Sequence, residues 1–281
     1  MHVTVNGTRL WYDVDGPRIV PDGPEMRQRP TVVLVHGGPG SYDHSYFKPD
    51  FDRLTTVAQV VYLDLRGHGR SEWGDATDWS YELCADDLRA FCDAVGIERP
   101  IVYGHSMGGW VVVLYGARHP GHAGALILQS TMARFDLDRL AEGFRRVGGD
   151  EVAELARQHF GVQAVTPEEW PRCFAVFGPN VPDDAQLARR IQNLDVGLRG
   201  MELMRELDVV DQLARIDRPT LVCVGEVDAV TPVEASQEIF DALPADTARL
   251  EIFPGAGHFP WLDDPEAYWR IVTSFVRETA V

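Results

Sequence analysis

Thr31-Val32-Val33-Leu34-Val35 is too short for a helix, rich in β-branched residues, and carries no polar face. Runs of the same kind recur at 57–63, 101–104, 125–128 and 220–224, with another strand pattern at 248–253. A strand apolar at every position has to be covered on both sides, and a parallel sheet layered between helices provides that cover. The intervening segments supply the helices. Between 81 and 95, Leu83, Leu88, Phe91 and Val95 fall at helical spacing, and 110–118, 233–243 and 265–277 are also helical. Val3 to Val14 reads as two strands around Asn6-Gly7, a hairpin signal. Residues 17–30 are rich in Pro and Gly with mixed charge and read as a loop.

The alternation of strand and helix stops between 131 and 214. That stretch is helical and polar, with candidate helices at 136–146, 150–159, 183–193 and 200–207, punctuated by Pro167, Pro171, Pro179 and Pro182. The expected organisation is an α/β core formed by 1–130 and 215–281, with 131–214 inserted as a helical cap. In 281 residues, 45% hydrophobic and 25% charged side chains suffice for a sizeable buried core.

Charge narrows the function classes. Forty-three acidic against 26 basic side chains give a net charge of −17, which repels phosphate backbones and anionic lipid. Neither nucleic acid nor membrane is expected as a partner. The uncharged stretch 100–117 is interrupted by Gly104, His105, Ser106, Gly108 and Gly109, which argues against a membrane helix. The first residues have neither a basic start nor an apolar run, so no signal peptide is read and a cytoplasmic location is expected. Cys84, Cys92, Cys173 and Cys223 form no Cys-x-x-Cys and lack zinc-ligand spacing, so free reduced thiols and no metal site are expected. Nothing in these features specifies an oligomeric state.

The residues that point to chemistry start at Gly104-His105-Ser106-Met107-Gly108-Gly109, where a strand ends and a helix begins. Gly-x-Ser-x-Gly at that junction is a nucleophile elbow: the turn lifts the serine hydroxyl clear of the backbone, and glycines on either side make room for it. A serine hydroxyl needs a base, and the base needs an orienting carboxylate. His258, in the glycine-containing loop after the last strand, is the base. Asp228, after the preceding strand, is the carboxylate, with Glu226 as fallback. The order Ser106, Asp228, His258 is the chain order of this kind of triad. His36-Gly37-Gly38-Pro39-Gly40 follows a core strand and allows close backbone approach. Pro39 has no N–H, so Gly38 or Gly37 is expected to donate to an oxyanion, with the Met107 N–H as second donor.

Other residues have plainer readings. Asp64 and Arg66 brace a loop, and His36 bonds to backbone. His105 flanks the nucleophile and should point away from it on the strand, yet stands close enough to count with Trp170, Phe174, Phe259 and Trp261 as a candidate pocket residue. Of Phe135, Phe144, Phe160, Trp170, Phe174 and Phe177 in the insertion, some should form its own core and others line an apolar acyl pocket.

Along essentially its whole length the chain resembles the α/β-hydrolase superfamily, on His36–Gly40, Asp64-Leu65-Arg66-Gly67-His68-Gly69-Arg70-Ser71, Gly104–Gly109 and the Asp228 and His258 loops. The His-Gly-Gly-Pro-Gly loop resembles the proline iminopeptidase branch. Leu65 stands where that branch usually has Gln, and Met107 where it has Trp or Tyr; these choices are closer to esterases, lactonases and carbon–carbon hydrolases. The expected function is a serine hydrolase without cofactor, acting on a small acyl substrate: an ester, lactone or amide. Its alternatives are a proline iminopeptidase-type aminopeptidase, a cofactor-free oxygenase or perhydrolase, and a binding protein on the same scaffold.

Overall fold

The chain opens with an antiparallel hairpin, β1 (His2–Val5) and β2 (Thr8–Asp15). Asn6 (φ 45°) and Gly7 (φ 75°) both take the left-handed conformation that a two-residue hairpin turn requires. In this computed structural model, which describes residues 1–162 and 170–280, the stretch 17–30 is a second hairpin rather than a loop. It consists of β3 (Ile19–Asp22) and β4 (Glu25–Gln28), turned at Gly23 (φ 63°). It escapes pattern reading because it packs on no apolar layer and its residues are mostly exposed.

The core elements then follow in order: β5 (Thr31–Val35), β6 (Gln59–Asp64), α1 (Tyr81–Val95), β7 (Ile101–His105), α2 (Met107–Arg118) and β8 (Ala125–Gln129). Ser80 caps α1 by accepting from the Leu83 N–H, and Gly96 (φ 70°) ends it in the left-handed conformation. Between β8 and the next strand lie α3 (Leu137–Arg157), α4 (Trp170–Phe174), α5 (Asp184–Ala188), α6 (Leu194–Met204) and α7 (Val210–Leu213). The core resumes with β9 (Thr220–Gly225), α8 (Val233–Ala242), β10 (Ala248–Phe253), α9 (Pro260–Asp263) and α10 (Pro265–Glu278).

The main sheet has eight strands in the order β1-β2-β6-β5-β7-β8-β9-β10. From β6 to β10 the pairings are parallel; β1 and β2 form an antiparallel edge. The chain steps from β5 outward to β6 and then returns to β7 on the other flank of β5. The direction of winding therefore reverses between β5 and β7, and the carboxyl ends of strands at such a reversal form a ligand-binding crevice. β7 shows why both faces are covered. Gly104 lies against Gly108 and Val112 of α2. Tyr103, pointing the opposite way, meets Phe51 edge-on at 5.1 Å and shares a 2.8 Å hydroxyl contact with Tyr268 of α10. All four cysteines are buried.

Helix boundaries in the insertion depart from the sequence pattern in part. The stretch labelled α3 is two helical runs that meet at a break, non-helical Gly149 (φ 82°, ψ −179°), which lies between the helices expected at 136–146 and 150–159. α5 stops at Ala188, and α6 begins at Leu194 with Asn193 as its N-cap. The Asn193 backbone N–H bonds Gly40 O (2.9 Å), its side-chain amide bonds Gly67 O (2.9 Å), and its carbonyl side chain caps α6. Both partners lie far away in the core, so no local periodicity reports them. Among the described residues, no helix is long and apolar enough to cross a membrane.

Candidate active site

Ser106 joins β7 to α2 with φ 54° and ψ −122°, a conformation that costs a non-glycine residue energy and has to be imposed by its surroundings. Its N–H donates to Gln129 O (2.9 Å), and its carbonyl accepts from Gly109 N (2.9 Å) and Thr131 Oγ1 (2.8 Å). The flanking glycines leave no room for a side chain. A Cβ on Gly104 would stand 2.5 Å from Gly108 O, and one on Gly108 would stand 2.3 Å from Val35 O. The serine itself is half-buried, at the carboxyl end of the sheet where the winding reverses.

His258 and Asp228 meet in the loops that follow β10 and β9. His258 Nδ1 is 2.9 Å from Asp228 Oδ2 and 3.1 Å from Oδ1, and both residues are buried. Asp228 Oδ1 also accepts the N–H groups of Val230 and Thr231, each at 2.9 Å, and Oδ2 accepts Thr231 Oγ1–H at 2.7 Å. An ionised carboxylate only accepts, so the proton between the pair sits on Nδ1 and leaves Nε2 with its lone pair free. The His258 backbone N–H donates to Phe177 O of the insertion at 2.6 Å. Glu226, the fallback carboxylate, instead accepts Gly255 N near the surface. His105, next to the serine in sequence, has its ring centroid 4.8 Å from that of His258, so the two loops meet at the end of β7.

The loop after β5 corrects one sequence expectation. The Gly37 N–H is occupied: it donates to Tyr46 Oη at 3.0 Å and is not available to a ligand. Among the described residues, the N–H groups of Gly38 and Met107 have no protein acceptor. Gly38 has φ 53°, and a Cβ there would collide with the Tyr42 ring at 2.5 Å. The loop is held from below by backbone-bonded histidines. His36 Nδ1–H donates to Gly37 O (3.0 Å) and Nε2 accepts Leu65 N (3.2 Å). His68 Nε2 accepts Gly40 N (2.9 Å), and Nδ1–H donates to Arg66 O (2.9 Å). Burial keeps both rings neutral; it pushes His68 down to about 3 and lowers His36 as well. Asp64 accepts from His44 N (2.8 Å), His44 Nδ1 (2.7 Å) and Arg70 N (2.9 Å). Burial opposes its ionisation, but the His44 side-chain bond and the Arg70 N–H hold its carboxyl below the usual range. Arg66 pairs with Asp87 at 2.8 Å. Asp43, His44 and Asp64 bring metal-type ligand atoms within 4.8 Å of one another. Their carboxylate oxygens, however, already receive the N–H groups of Ser45, Ile191, His44 and Arg70.

Of the candidate pocket residues, His105 is corrected outright: it is 2% exposed, with Nδ1 on Tyr46 Oη (2.8 Å) and Nε2 on His258 O (3.0 Å). Its ring points into the core because it alternates with Gly104 across the sheet. Phe259 and Trp261 are likewise core residues; Trp261 packs edge-on against Phe51 and His105. Phe174 is partly buried against Phe177 (5.2 Å), whose ring meets His258 edge-on at 5.6 Å. The side chain of Trp170 lies outside the described residues, as do Glu168 and Glu169. Tyr46 and Thr231 were not anticipated, whereas Phe177 is one of the six insertion aromatics expected in the insertion's core or pocket. The Asp228-x-x-Thr231 spacing carries a local signal for a hydroxyl on the carboxylate; Tyr46 and Phe177 reach the site only through tertiary contacts.

The α/β-hydrolase-fold family model matches residues 30–265. Among curated relatives, a proline iminopeptidase of Lactiplantibacillus plantarum is 28% identical, covering 94% of this chain and 95% of its own. A monoacylglycerol lipase of Mycolicibacterium smegmatis is also 28% identical, covering 90% of this chain and 87% of its own. Among solved structures, a proline iminopeptidase of Mycobacterium smegmatis superposes with a TM-score of 0.78 at 22% identity, over 99% of this chain and 98% of its own. The winding reversal, the serine turn at its crevice and a family match across most of the sequence agree: the chain belongs to the α/β-hydrolase fold family.

Proposed function

We propose that this α/β-hydrolase is a serine hydrolase that cleaves a small ester, lactone or amide through an acyl-enzyme. The observation that carries the reading is the buried Asp228–His258 pair at 2.9 Å, which holds the imidazole in the tautomer with a free Nε2. In this reading Nε2 takes the Ser106 hydroxyl proton as Oγ attacks the acyl carbonyl. The N–H groups of Gly38 and Met107, which have no acceptor among the described residues, receive the developing oxyanion. Nε2 then delivers the proton to the leaving oxygen or nitrogen. Water, deprotonated by the same nitrogen, releases the acid and regenerates the serine. Residues 131–214 act as a cap, with Phe174 and Phe177 on the acyl side.

The His36–Gly40 loop and the iminopeptidase relatives favour an aminopeptidase as second reading. A free α-ammonium leaving water needs a carboxylate partner. The insertion's five described glutamates are all exposed; Glu142, Glu151 and Glu202 pair with Arg145, Arg172 and Arg199, Glu154 accepts from Gln158, and Glu206 lies on the surface. Neutral acyl substrates are therefore placed first.

A fluorophosphonate probe tests the assignment. It should label one site, and Ser106→Ala should abolish labelling and turnover while leaving the thermal midpoint in place. Aryl esters of short and medium acids should be cleaved faster than prolyl arylamides, and blocking a substrate amine should not abolish turnover. Labelling that survives Ser106→Ala would sink the serine assignment; a strict demand for unblocked proline amides would install the aminopeptidase.

A further inference from the structure

Four groups behind the serine form a hydrogen-bonded chain whose direction is fixed at both ends. The Gly37 N–H can only donate, and it donates to Tyr46 Oη at 3.0 Å. The His258 carbonyl can only accept, and it lies 3.0 Å from His105 Nε2, which must therefore carry a proton. The middle link, Tyr46 Oη to His105 Nδ1 at 2.8 Å, is then determined: the phenol donates and Nδ1 accepts. Every group has a partner only when His105 is neutral and protonated on Nε2. Protonating Nδ1 would aim two donors at the phenol oxygen and strand the phenol's own hydrogen. The surroundings enforce the neutral form, since burial lowers the His105 pKa well below the usual histidine value and the neighbouring His258 lowers it further.

The chain joins the two loops that the proposed reaction has to keep in register. Gly37 precedes the expected oxyanion donor Gly38 and lies against the nucleophile. A Cβ on it would be 3.0 Å from Ser106 Cβ and 3.2 Å from His105 Nδ1. His258 is the expected base. Tyr46 is 1% exposed and stacks on Phe47 at 4.3 Å, so it is a fixed post rather than a mobile side chain. The His105 ring is wedged among His258, Phe259 and Trp261 at centroid distances of 4.8, 5.4 and 4.9 Å.

We propose that Tyr46 and His105 are positioning residues that lock the Gly37–Gly38 loop and the His258 loop into a single unit, setting the oxyanion donor against the base. The inference rests on the serine-hydrolase reading above. Removing the phenol oxygen leaves the Gly37 N–H and His105 Nδ1 without partners in a buried site. The Gly37–Gly38 peptide is then free to turn, and the Gly38 N–H leaves the line it needs.

The test uses Tyr46→Phe, His105→Gln and His105→Leu in the full chain, with active sites counted by fluorophosphonate titration. Turnover of a p-nitrophenyl ester and inhibition by phenylboronic acid are then measured per titrated site. Tyr46→Phe should lower kcat about 10- to 100-fold with KM nearly unchanged, since supporting groups and ångström displacements carry effects of that size. Boronate affinity should fall by about the same factor, because the tetrahedral adduct uses the same donor. Glutamine offers an acceptor and a donor on one planar group, so His105→Gln should retain far more kcat than His105→Leu. A purely structural role would lower the thermal midpoint and the titrated fraction but leave kcat and boronate affinity per site intact. That outcome for Tyr46→Phe overturns the inference. Equal kcat for His105→Gln and His105→Leu also overturns it, and this arm remains should Tyr46→Phe fail to fold. Absence of labelling at Ser106 in the unaltered protein defeats the serine-hydrolase reading itself. Labelling there with undiminished Tyr46→Phe turnover defeats the positioning role alone.

Discussion

The parallel strands and the helical insertion handle burial in opposite ways. β5, β7, β8 and β9 bury every residue, and their carboxyl-end loops are packed so closely that a Cβ on Gly104 or Gly108 would overlap main chain. α6 buries only Val196, Gly200 and Met204, while Leu194 and Leu198 are 75% and 66% exposed. The insertion's charges pair along its surface, as in Arg145 with Glu142 and Arg199 with Glu202. In the core, geometry is fixed from several directions at once, and strain such as that at Ser106 can be held. In the insertion, position is fixed mainly along one stripe, and side chains on the outer face are free to vary.

The largest test of this contrast compares carboxylates. Asp228→Asn should lower kcat by about 10³- to 10⁴-fold, because an amide favours the wrong histidine tautomer. Glu142→Gln and Glu202→Gln should stay within about twofold, as exposed ion pairs contribute little. Steady-state kinetics on one aryl ester decides it. An insertion glutamate whose removal matches Asp228→Asn would break the contrast and favour the aminopeptidase.

A second comparison uses glycines. Gly108→Ala should destabilise by about 3 kcal/mol, since its methyl meets the Val35 and His36 carbonyls at 2.3 and 2.6 Å and neither can move without shifting β5. Gly149→Ala meets nothing within 4 Å and should cost about 2 kcal/mol, from its φ 82°, ψ −179° backbone alone, a region almost reserved for glycine. Urea unfolding measures both, and equal losses would show that the insertion is as tightly constrained as the core.

A third test is a pH slope carried by the core loop. His68 has a folded-state pKa of about 3 against an ordinary value of 6.5, so between those values the unfolded chain binds the extra proton. Its stabilising contribution is full above pH 6.5 and is lost as pH falls toward 3. Between pH 7 and pH 5 the loss should be about 2 kcal/mol. Unfolding of His68→Gln over the same interval should have a correspondingly flatter slope; an unchanged slope would place the acid sensitivity elsewhere.

The same contrast governs what the sequence reveals. The strand at Thr31–Val35 and the helix at Tyr81–Val95 are legible to the residue, because period and caps are written locally in the β-branched run, Ser80 and Gly96. The elbow around Ser106 and the pairing of Asp228 with His258 are legible because each motif lies at a strand end on the same edge of the sheet. The start of α6 is not, since Asn193 answers to Gly40 and Gly67. Nor is the use of the Gly37 N–H, which depends on a tyrosine brought in by a short turn, N-capped by Asp43. Distant partners leave no period behind them.

The insertion is bonded to both banks of the crevice. On one bank, Asp43 accepts the Ile191 N–H and Gly40 O accepts the Asn193 N–H; on the other, Phe177 O accepts the His258 N–H, and Gly178 lies directly on Gly257. This makes it a lintel rather than a hinged door. Swinging it aside as one body would break these bonds together and pull the histidine loop out of line. On the serine-hydrolase reading proposed above, substrate and product pass beneath the span by side-chain shifts between two fixed abutments rather than by a swing of the whole roof.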